Sequence, residues 1–341
     1  MKGVAKIARG NGNVELIDVP EPQAIPGHVV IEVQGAGVCG TDLHIYHDEY
    51  PSYPPVILGH EVAGVVVAVG DGVATCTTGD RVTSEPYFYT CGRCVFCRDG
   101  LPNQCPQRRS IGSGVHGAFT RYVLVPGQNI HHLPENVSIS AGALTEPLAC
   151  CVHGLEMTRV EPSDTVAVVG PGAIGLLAAQ VVKAAGARVV LLGTSADEER
   201  LQLARTLGID VTVNVQAENG VDVVNGMTNG LGADVVFECS GAEAGAQLAL
   251  SLVRRRGHYL QMGLIGRPIR WDLEQVCFKE IQVNGSFATL PSAWRKALRL
   301  LANGQVQTTP LISHTMPITD WQEAFSLFEA RKSVKILFTP E

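Results

Sequence analysis

Thr165-Val166-Ala167-Val168-Val169-Gly170-Pro171-Gly172-Ala173-Ile174-Gly175 joins a short apolar run to three glycines spaced Gly-x-Gly-x-x-Gly. A continuous apolar run bounded by glycine is consistent with a buried strand. The residues that follow, up to Gly186, read as a helix. In that order the spacing has a mechanism. The glycines permit a tight turn and close backbone approach to a pyrophosphate, which the helix N-terminus then holds. Gly170, Gly172, Ala173, Ile174 and Gly175 are therefore candidate cofactor-binding positions.

Downstream, strand-like and helix-like segments alternate. Arg188 to Leu192, Val211 to Val215, Ala233 to Cys239 and Gly257 to Met262 read as strands, with Ser195 to Leu207 and Ala242 to Val253 as helices. A last strand is expected from Ile281 to Phe287. Alternation of this kind argues a parallel, doubly wound sheet. An NAD-preferring fold places Asp or Glu at the end of its second strand, about 20 residues after the glycines. Here Val189-Val190-Leu191-Leu192 runs into Gly193-Thr194-Ser195. The small residue leaves room for a 2′-phosphate, with Thr194 and Ser195 as donors. Asp197, Glu198 and Glu199 would repel a phosphate unless they point away and Arg200 points in. The cofactor reading is NAD or NADP, leaning to NADP.

Upstream, Met1 to about Cys150 is dominated by short β-branched runs punctuated by Gly and Pro, such as Val29–Val33, Val62–Val69, Arg81–Thr83 and Phe119–Val125. That spacing reads as a mainly β unit with long loops. Within it, Cys39, Thr41, Asp42 and His44 lie in one short run, followed by Gly59-His60-Glu61-Val62-Ala63-Gly64. A cysteine, a histidine and a carboxylate form a plausible ligand set for a catalytic zinc, which takes three protein ligands and keeps one position open. The Thr41 hydroxyl and His44 imidazole could carry a proton away from it. Taken singly, a cysteine is more often a small buried hydrophobe than a ligand.

Cys91, Cys94 and Cys97 are separated by two residues each, and Cys105 follows after seven. Four thiolates on one loop (residues 91–105) match a closed tetrahedral structural zinc site. An iron–sulfur cluster also uses four cysteines, and chance clustering is the third reading; the regular spacing favours zinc. Glu146, in Thr145-Glu146-Pro147-Leu148, sits in an otherwise apolar stretch and must face something polar. It reads either as a helix-N-terminal glutamate or as a fourth group at the catalytic metal.

The chain has 341 residues, 45% hydrophobic and 17% charged, with a net charge of -7. The length suggests about two domains, and the acidic balance argues against nucleic-acid or anionic-membrane partners. No apolar run approaches the ~20 residues that span a bilayer, and no signal-peptide core precedes the first strand. The expected address is the cytoplasm. There the ten cysteines point to metal rather than disulfides.

The zinc set, the four-cysteine loop and the dinucleotide fold, in this order, resemble the zinc-containing medium-chain dehydrogenase/reductase family over essentially the whole chain. Cys39-Gly40-Thr41-Asp42-Leu43-His44, Gly59-His60-Glu61 and Thr145-Glu146-Pro147-Leu148 are most similar to its polyol (sorbitol) and threonine dehydrogenase branch. Simple alcohol dehydrogenases carry a cysteine where Glu146 falls. The resemblance implies an α/β protein with a GroES-like mainly β catalytic domain (1–150), a Rossmann domain (151–290) and a C-terminal return to the first domain (291–341). It implies a catalytic zinc on Cys39, His60 and Glu61, with Glu146 a direct ligand or linked through water. Thr41 and His44 would relay the proton, and Cys91, Cys94, Cys97 and Cys105 would hold the structural zinc. The branch commonly assembles as tetramers; a homodimer is the alternative.

The expected activity is oxidation of a secondary alcohol, polyol or sugar-derived, to a ketone with NAD(P). L-threonine is the alternative substrate, and a catalytically silent dinucleotide-binding protein the remote one. The branch's sorbitol enzymes share an Arg-Tyr pair where this chain has Phe287-Ala288, and its threonine enzymes carry aspartate where Glu146 stands. Cys76, Cys150, Cys151, Cys239 and Cys277 read as buried thiols, Arg254-Arg255-Arg256 as a solvated helix end, and His116, His131, His132 and His153 as loop or core residues.

Overall fold

The computed structural model describes residues 1–340. It divides into two compact units. One comprises Met1–Glu146, Leu290–Ala302 and the chain from Thr308; the other comprises Pro147–Thr289 and Asn303–Gln307.

The second unit is built on a six-stranded parallel sheet. Its strand order is Val211–Asn214, Arg188–Gly193, Thr165–Val169, Ala233–Glu238, Val253–Gln261 and Gln282–Gly285. Thr165–Val169 is buried at every position, as expected of a central strand covered on both faces. Ala167, Val169, Val190, Leu192 and Val236 pack with Ala249 and Leu252 of the helix Glu243–Leu252. Burying such side chains contributes roughly 1.5–3 kcal/mol each for the larger ones. From Val211–Asn214 at one edge the chain crosses back past Thr165–Val169 to Ala233–Glu238 on its other side, so a switch point lies at the carboxyl ends of Thr165–Val169 and Ala233–Glu238, where ligands bind in open α/β sheets.

The first unit is organised by a largely antiparallel sheet. Its order is Ile130–His132, Arg81–Ser84, Glu61–Val69, His28–Gly37, Lys335–Phe338 and Ile312–Met316, with Tyr122–Pro126 also paired to His28–Gly37. Val29, Ile31, Val33, Val62, Val66, Ile336 and Phe338 bury one continuous core, and Phe119 meets Phe338 edge to face at 4.9 Å. The closing strand pairs with His28–Gly37 through Leu337↔Gly37 and Phe338↔Ala36.

Several expectations need correction. Arg254-Arg255-Arg256 is not a helix end but the start of strand Val253–Gln261, with Arg254 paired to Asp234 and Arg256 to Glu280. A run of cations resembled a solvated cap, yet the arginines fall in an irregular stretch of that strand, between the pairings of Val253 and of His258, where Arg256 takes a left-handed φ of +55°. Cys277 is exposed rather than buried, and Cys150 and Cys239 are half-buried. The helices Gly220–Met227 and Leu273–Lys279 were not expected. The helix expected from Ser195 begins as a 3-10 turn and becomes α-helical at Glu198.

Candidate metal centres and dinucleotide loop

Cys39 caps the seven-residue helix Gly40–Tyr46 with extended backbone (φ -112°), which presents its thiol at the mouth of the turn. The Asp42 carboxylate accepts the Cys39 N–H at 2.9 Å and the Gly59 N–H at 3.2 Å. One fully buried side chain thus ties the turn carrying Cys39 to the turn entering His60, and its Oδ1 lies 3.9 Å from His60 Nδ1. Gly59 must be glycine: its φ is +88°, and a Cβ would lie 2.3 Å from the Phe119 ring. Glu61 opens the next strand opposite Gly37. A ligand atom from each of Cys39, His60 and Glu61 lies within 4.8 Å of the others.

The chemistry of this donor set suits a divalent cation. Burial alone would lower the His60 pKa, but the Cys39 thiolate, its hydrogen bond, Asp42 and Glu146 raise it well above the usual imidazole value. Burial likewise pushes the Asp42 carboxyl up. Too many negative groups face too few positive ones, an imbalance that a metal relieves. Glu146 lies buried in the first turn of the helix Thr145–Glu156 and its charge is felt by His60 and Lys335, but it stands outside the three-residue set.

The Thr41 hydroxyl is 3.7 Å from Cys39 Sγ. His44, three residues on and so on the same helix face, has its Nδ1 2.8 Å from Glu49 Oε2 and a side chain 30% exposed. Thr41 thus stands beside the half-buried Cys39 thiol and His44 nearer solvent on the same short helix.

Cys91, Cys94, Cys97 and Cys105 form a second set of ligand atoms within 4.8 Å of one another. The loop does this locally. Cys94 caps the helical turn Val95–Arg98, and its sulfur accepts the Cys97 N–H at 3.5 Å. Cys94 N–H donates to Cys91 Sγ and Cys91 N–H to Cys105 Sγ, at 3.3 and 3.4 Å. The backbone N–H groups of Arg93 and Cys94 bring the Cys91 thiol down to about 6. Desolvation and its sulfur neighbours push Cys97 up to about 12. All four thiols are unpaired; only a cation would let them ionise together.

In the second unit, Gly170 turns with φ +99°. A Cβ on Gly175 would fall 1.8 Å from the Gly170 carbonyl oxygen, whereas one on Gly172 would meet nothing within 4 Å. Gly172 caps the twelve-residue helix Ala173–Ala184 with no side-chain hydrogen bond. No side chain therefore caps the first-turn N–H groups, and the space beside Gly172 is open, as a pyrophosphate cradle requires. At the end of the second strand, Asp197 turns inward. It accepts the Thr194 N–H at 3.0 Å and hydroxyl at 2.8 Å, and pairs with Arg200 at 3.0 Å. Ser195 instead meets Asn214 and Gln216. Glu198 pairs with Arg205 at the surface.

Two residues escaped the sequence reading. Asp42 was noticed in the run, but its bridging role needs Gly59 in space. Lys335 carries the more informative signal: a lysine inside Lys335-Ile336-Leu337-Phe338, a strand buried throughout, has to find a buried partner. That partner is Glu61, at 2.6 and 2.8 Å to its two oxygens.

Comparison with known proteins agrees with this arrangement. Residues 25–135 match the family model "Alcohol dehydrogenase GroES-like domain" and residues 173–303 the model "Zinc-binding dehydrogenase". The chain belongs to the zinc-containing medium-chain dehydrogenase family, whose members are zinc-binding, nicotinamide-dinucleotide-linked oxidoreductases. It is 40% identical over 341 residues to the sorbitol dehydrogenase of Halalkalibacterium halodurans, covering 100% of this chain and 99% of that one. It is also 40% identical over 340 residues to the D-arabitol-phosphate dehydrogenase of Enterococcus avium, covering 99% and 97%. The L-threonine 3-dehydrogenase of Bacillus subtilis matches at 33% over 346 residues, covering 100% and 99%. Among solved structures, a provisionally named zinc-binding dehydrogenase of Sinorhizobium meliloti, bound to NADP, superposes with a TM-score of 0.92 at 34% identity, covering 99% of each chain.

Proposed function

We propose that this enzyme oxidises a secondary alcohol of a polyol or sugar-derived substrate to the ketone. Cys39, His60 and Glu61 would hold the catalytic zinc, with Glu146 as a nearby carboxylate. Cys91, Cys94, Cys97 and Cys105 would hold the structural one. The observation that carries the reading is the meeting of a thiol, an imidazole and a carboxylate within 4.8 Å beside the Thr41–His44 path. The 40% identities to a sorbitol and an arabitol-phosphate dehydrogenase, against 33% to the threonine enzyme, support a polyol over an amino-acid alcohol.

When bound, zinc would polarise the substrate hydroxyl and a nicotinamide would accept the hydride, chemistry that these groups supply rather than the chain. The chain's own residues do the rest. Asp42 holds the two ligand-bearing turns in register, so the donor atoms are placed before substrate arrives. Thr41 Oγ1 accepts the hydroxyl proton as it releases its own toward His44, and His44 passes a proton to solvent, its imidazole kept on the exposed side by Glu49. Gly170 to Gly175 hold the pyrophosphate, with Ala173 and Ile174 offering first-turn N–H groups.

NADP is favoured over NAD. Asp197 is occupied by Thr194 and Arg200, so it is not the carboxylate that grips ribose hydroxyls. Gly193 and Ser195 leave a small, polar strand end, with the Arg200–Asp197 ion pair beside it. The assembly is a homodimer or homotetramer, for which the Gln282–Gly285 edge strand offers an exposed rim with Leu273, Phe278 and Val283. No helix among the described residues is long and apolar enough to cross a membrane.

The test is fluorescence titration with NADH and NADPH, then turnover of polyols, polyol phosphates and L-threonine with the tighter cofactor. Tighter NADPH binding and turnover of a polyol or its phosphate are expected. Preference for NADH overturns the cofactor reading, and turnover of L-threonine alone overturns the substrate class.

A further inference from the structure

Glu61 and Lys335 are 274 residues apart in sequence and meet in the interior, with side-chain exposures of 0% and 3%. The lysine's three N–H groups are all accounted for. Nζ lies 2.6 and 2.8 Å from the two Glu61 oxygens and donates to the Val38 carbonyl at 2.9 Å. Sheet register explains the meeting. Glu61 faces Gly37 on one side, Leu337 faces Gly37 on the other, and Lys335 lies on Leu337's face two residues away. Gly37 leaves the gap that the carboxylate fills: a Cβ there would lie 2.0 Å from Glu61 Oε2.

A carboxylate with no exposure needs a counter-charge whether or not a metal is bound. If Glu61 serves only as a metal ligand, a buried ammonium on both its oxygens is a competitor and should not be there. If it serves only in an ion pair, nothing requires it beside Cys39 and His60. We propose that Lys335 is a positioning residue that stands in for the metal's charge on Glu61, so the centre stays assembled when metal-free and Glu61 shares its charge between lysine and metal. This rests on Cys39, His60 and Glu61 being the ligand set.

The consequences have opposite signs in the two states. Without the ammonium, the metal-free protein holds an unpaired buried carboxylate, while the zinc-loaded protein gives that carboxylate wholly to the metal. Lys335→Met therefore tightens zinc binding and destabilises the stripped protein. A salt bridge indifferent to metal would lower the stability of both forms alike and leave zinc affinity unchanged.

The experiment compares wild type, Lys335→Met and the double variant Glu61→Gln/Lys335→Met. It reads zinc released per chain against chelator concentration, and Tm for loaded and stripped protein. In Lys335→Met, release of one of the two zinc ions should need about tenfold more chelator, the scale on which outer-shell partners alter metal affinity. The gap between loaded and stripped Tm should widen. The double variant, with no buried charge left to satisfy, should regain the wild-type stripped Tm and lose the tightening. Equal Tm losses in both forms with an unmoved chelator midpoint overturn the inference. If stripped Lys335→Met does not fold, its zinc-loaded form decides by the same chelator midpoint: a rise of about tenfold upholds the inference, and an unmoved midpoint overturns it. Cys39→Ser keeps the two readings apart. Retention of both zinc ions in that variant defeats the ligand set itself. Loss of one zinc there, with Lys335→Met indistinguishable from wild type, defeats only the role of Lys335.

Discussion

The two candidate metal centres use related donors and are built in opposite ways. The four-cysteine loop gathers its sulfurs within fifteen residues, through a helical turn and N–H···S bonds that run from one cysteine to the next. The Cys39, His60 and Glu61 centre is assembled from a helix cap, a glycine turn and a strand, with its buried counter-charge supplied by the closing strand. A local site works as a fastener, because each ligand shapes its neighbour. An assembled site can leave a position open and adjust its charge, because its parts belong to different elements. The first centre is suited to holding a fold and the second to doing chemistry on it.

The largest expected effect breaks the comparison most directly. Cys39→Ser should lower kcat/KM by about a thousandfold, as loss of several kcal/mol of metal stabilisation implies, with Tm nearly unchanged. Cys94→Ser should do the reverse. Loss of a structural zinc ligand should cost several kcal/mol, so Tm should fall by roughly 10 °C, and the folded fraction should keep most of its activity. Turnover assays beside calorimetry check both; an unfolded Cys39 variant or an inactive but fully stable Cys94 variant would erase the division of labour.

That same contrast decides what was legible in the sequence. The four-cysteine loop could be read from spacing alone, because its geometry is local. The parallel sheet could be read from the wholly apolar Thr165–Val169 and the alternation after it, since burial on both faces leaves no polar position to confuse the period. Lys335 could not be assigned a partner, because Glu61 is brought to it only by two strand pairings across Gly37. Arg254 to Arg256 misled for the opposite reason: charge suggested a helix end, while the chain had already entered a strand whose pairing to Ala233–Glu238 is interrupted by a bulge across these residues. The helix Leu273–Lys279 did leave a cue, since Asp272 caps it by accepting the Glu274 N–H at 3.1 Å. Gly220–Met227, with Asp222, Asn225 and Gly226 inside it, left a weaker one.

Asp42 offers a finer probe of the assembled centre. Asp42→Asn keeps the shape but removes an acceptor from one of two backbone N–H groups, those of Cys39 and Gly59. Metal affinity should drop by about 10- to 100-fold, as for other second-layer partners, read as earlier zinc release to chelator. In the four-cysteine loop the ligand-bearing turns are instead tied by N–H···S bonds of the loop's own backbone. An unaffected Asp42 variant would mean that the two turns hold their register without it.

The dinucleotide loop supplies the smallest effect and a third way of building a site. Like the four-cysteine loop it is local, but it would bind through absence: no side chain at Gly172 and no room for one at Gly175. The two glycines should therefore fail differently when given the same methyl group. At Gly175 the added Cβ meets the Gly170 carbonyl oxygen at 1.8 Å, so backbone has to move and stability falls with cofactor binding. At Gly172 the backbone is already at φ -70° and the space is open, so the folded protein should be unchanged. The methyl group then obstructs only what approaches the helix N-terminus. Gly172→Ala should weaken cofactor binding by about tenfold, near 1.4 kcal/mol, with Tm unaltered. Gly175→Ala should lower both. Equal behaviour of the two variants in paired titration and melting experiments would show that the space above Gly172 is not where the pyrophosphate lies.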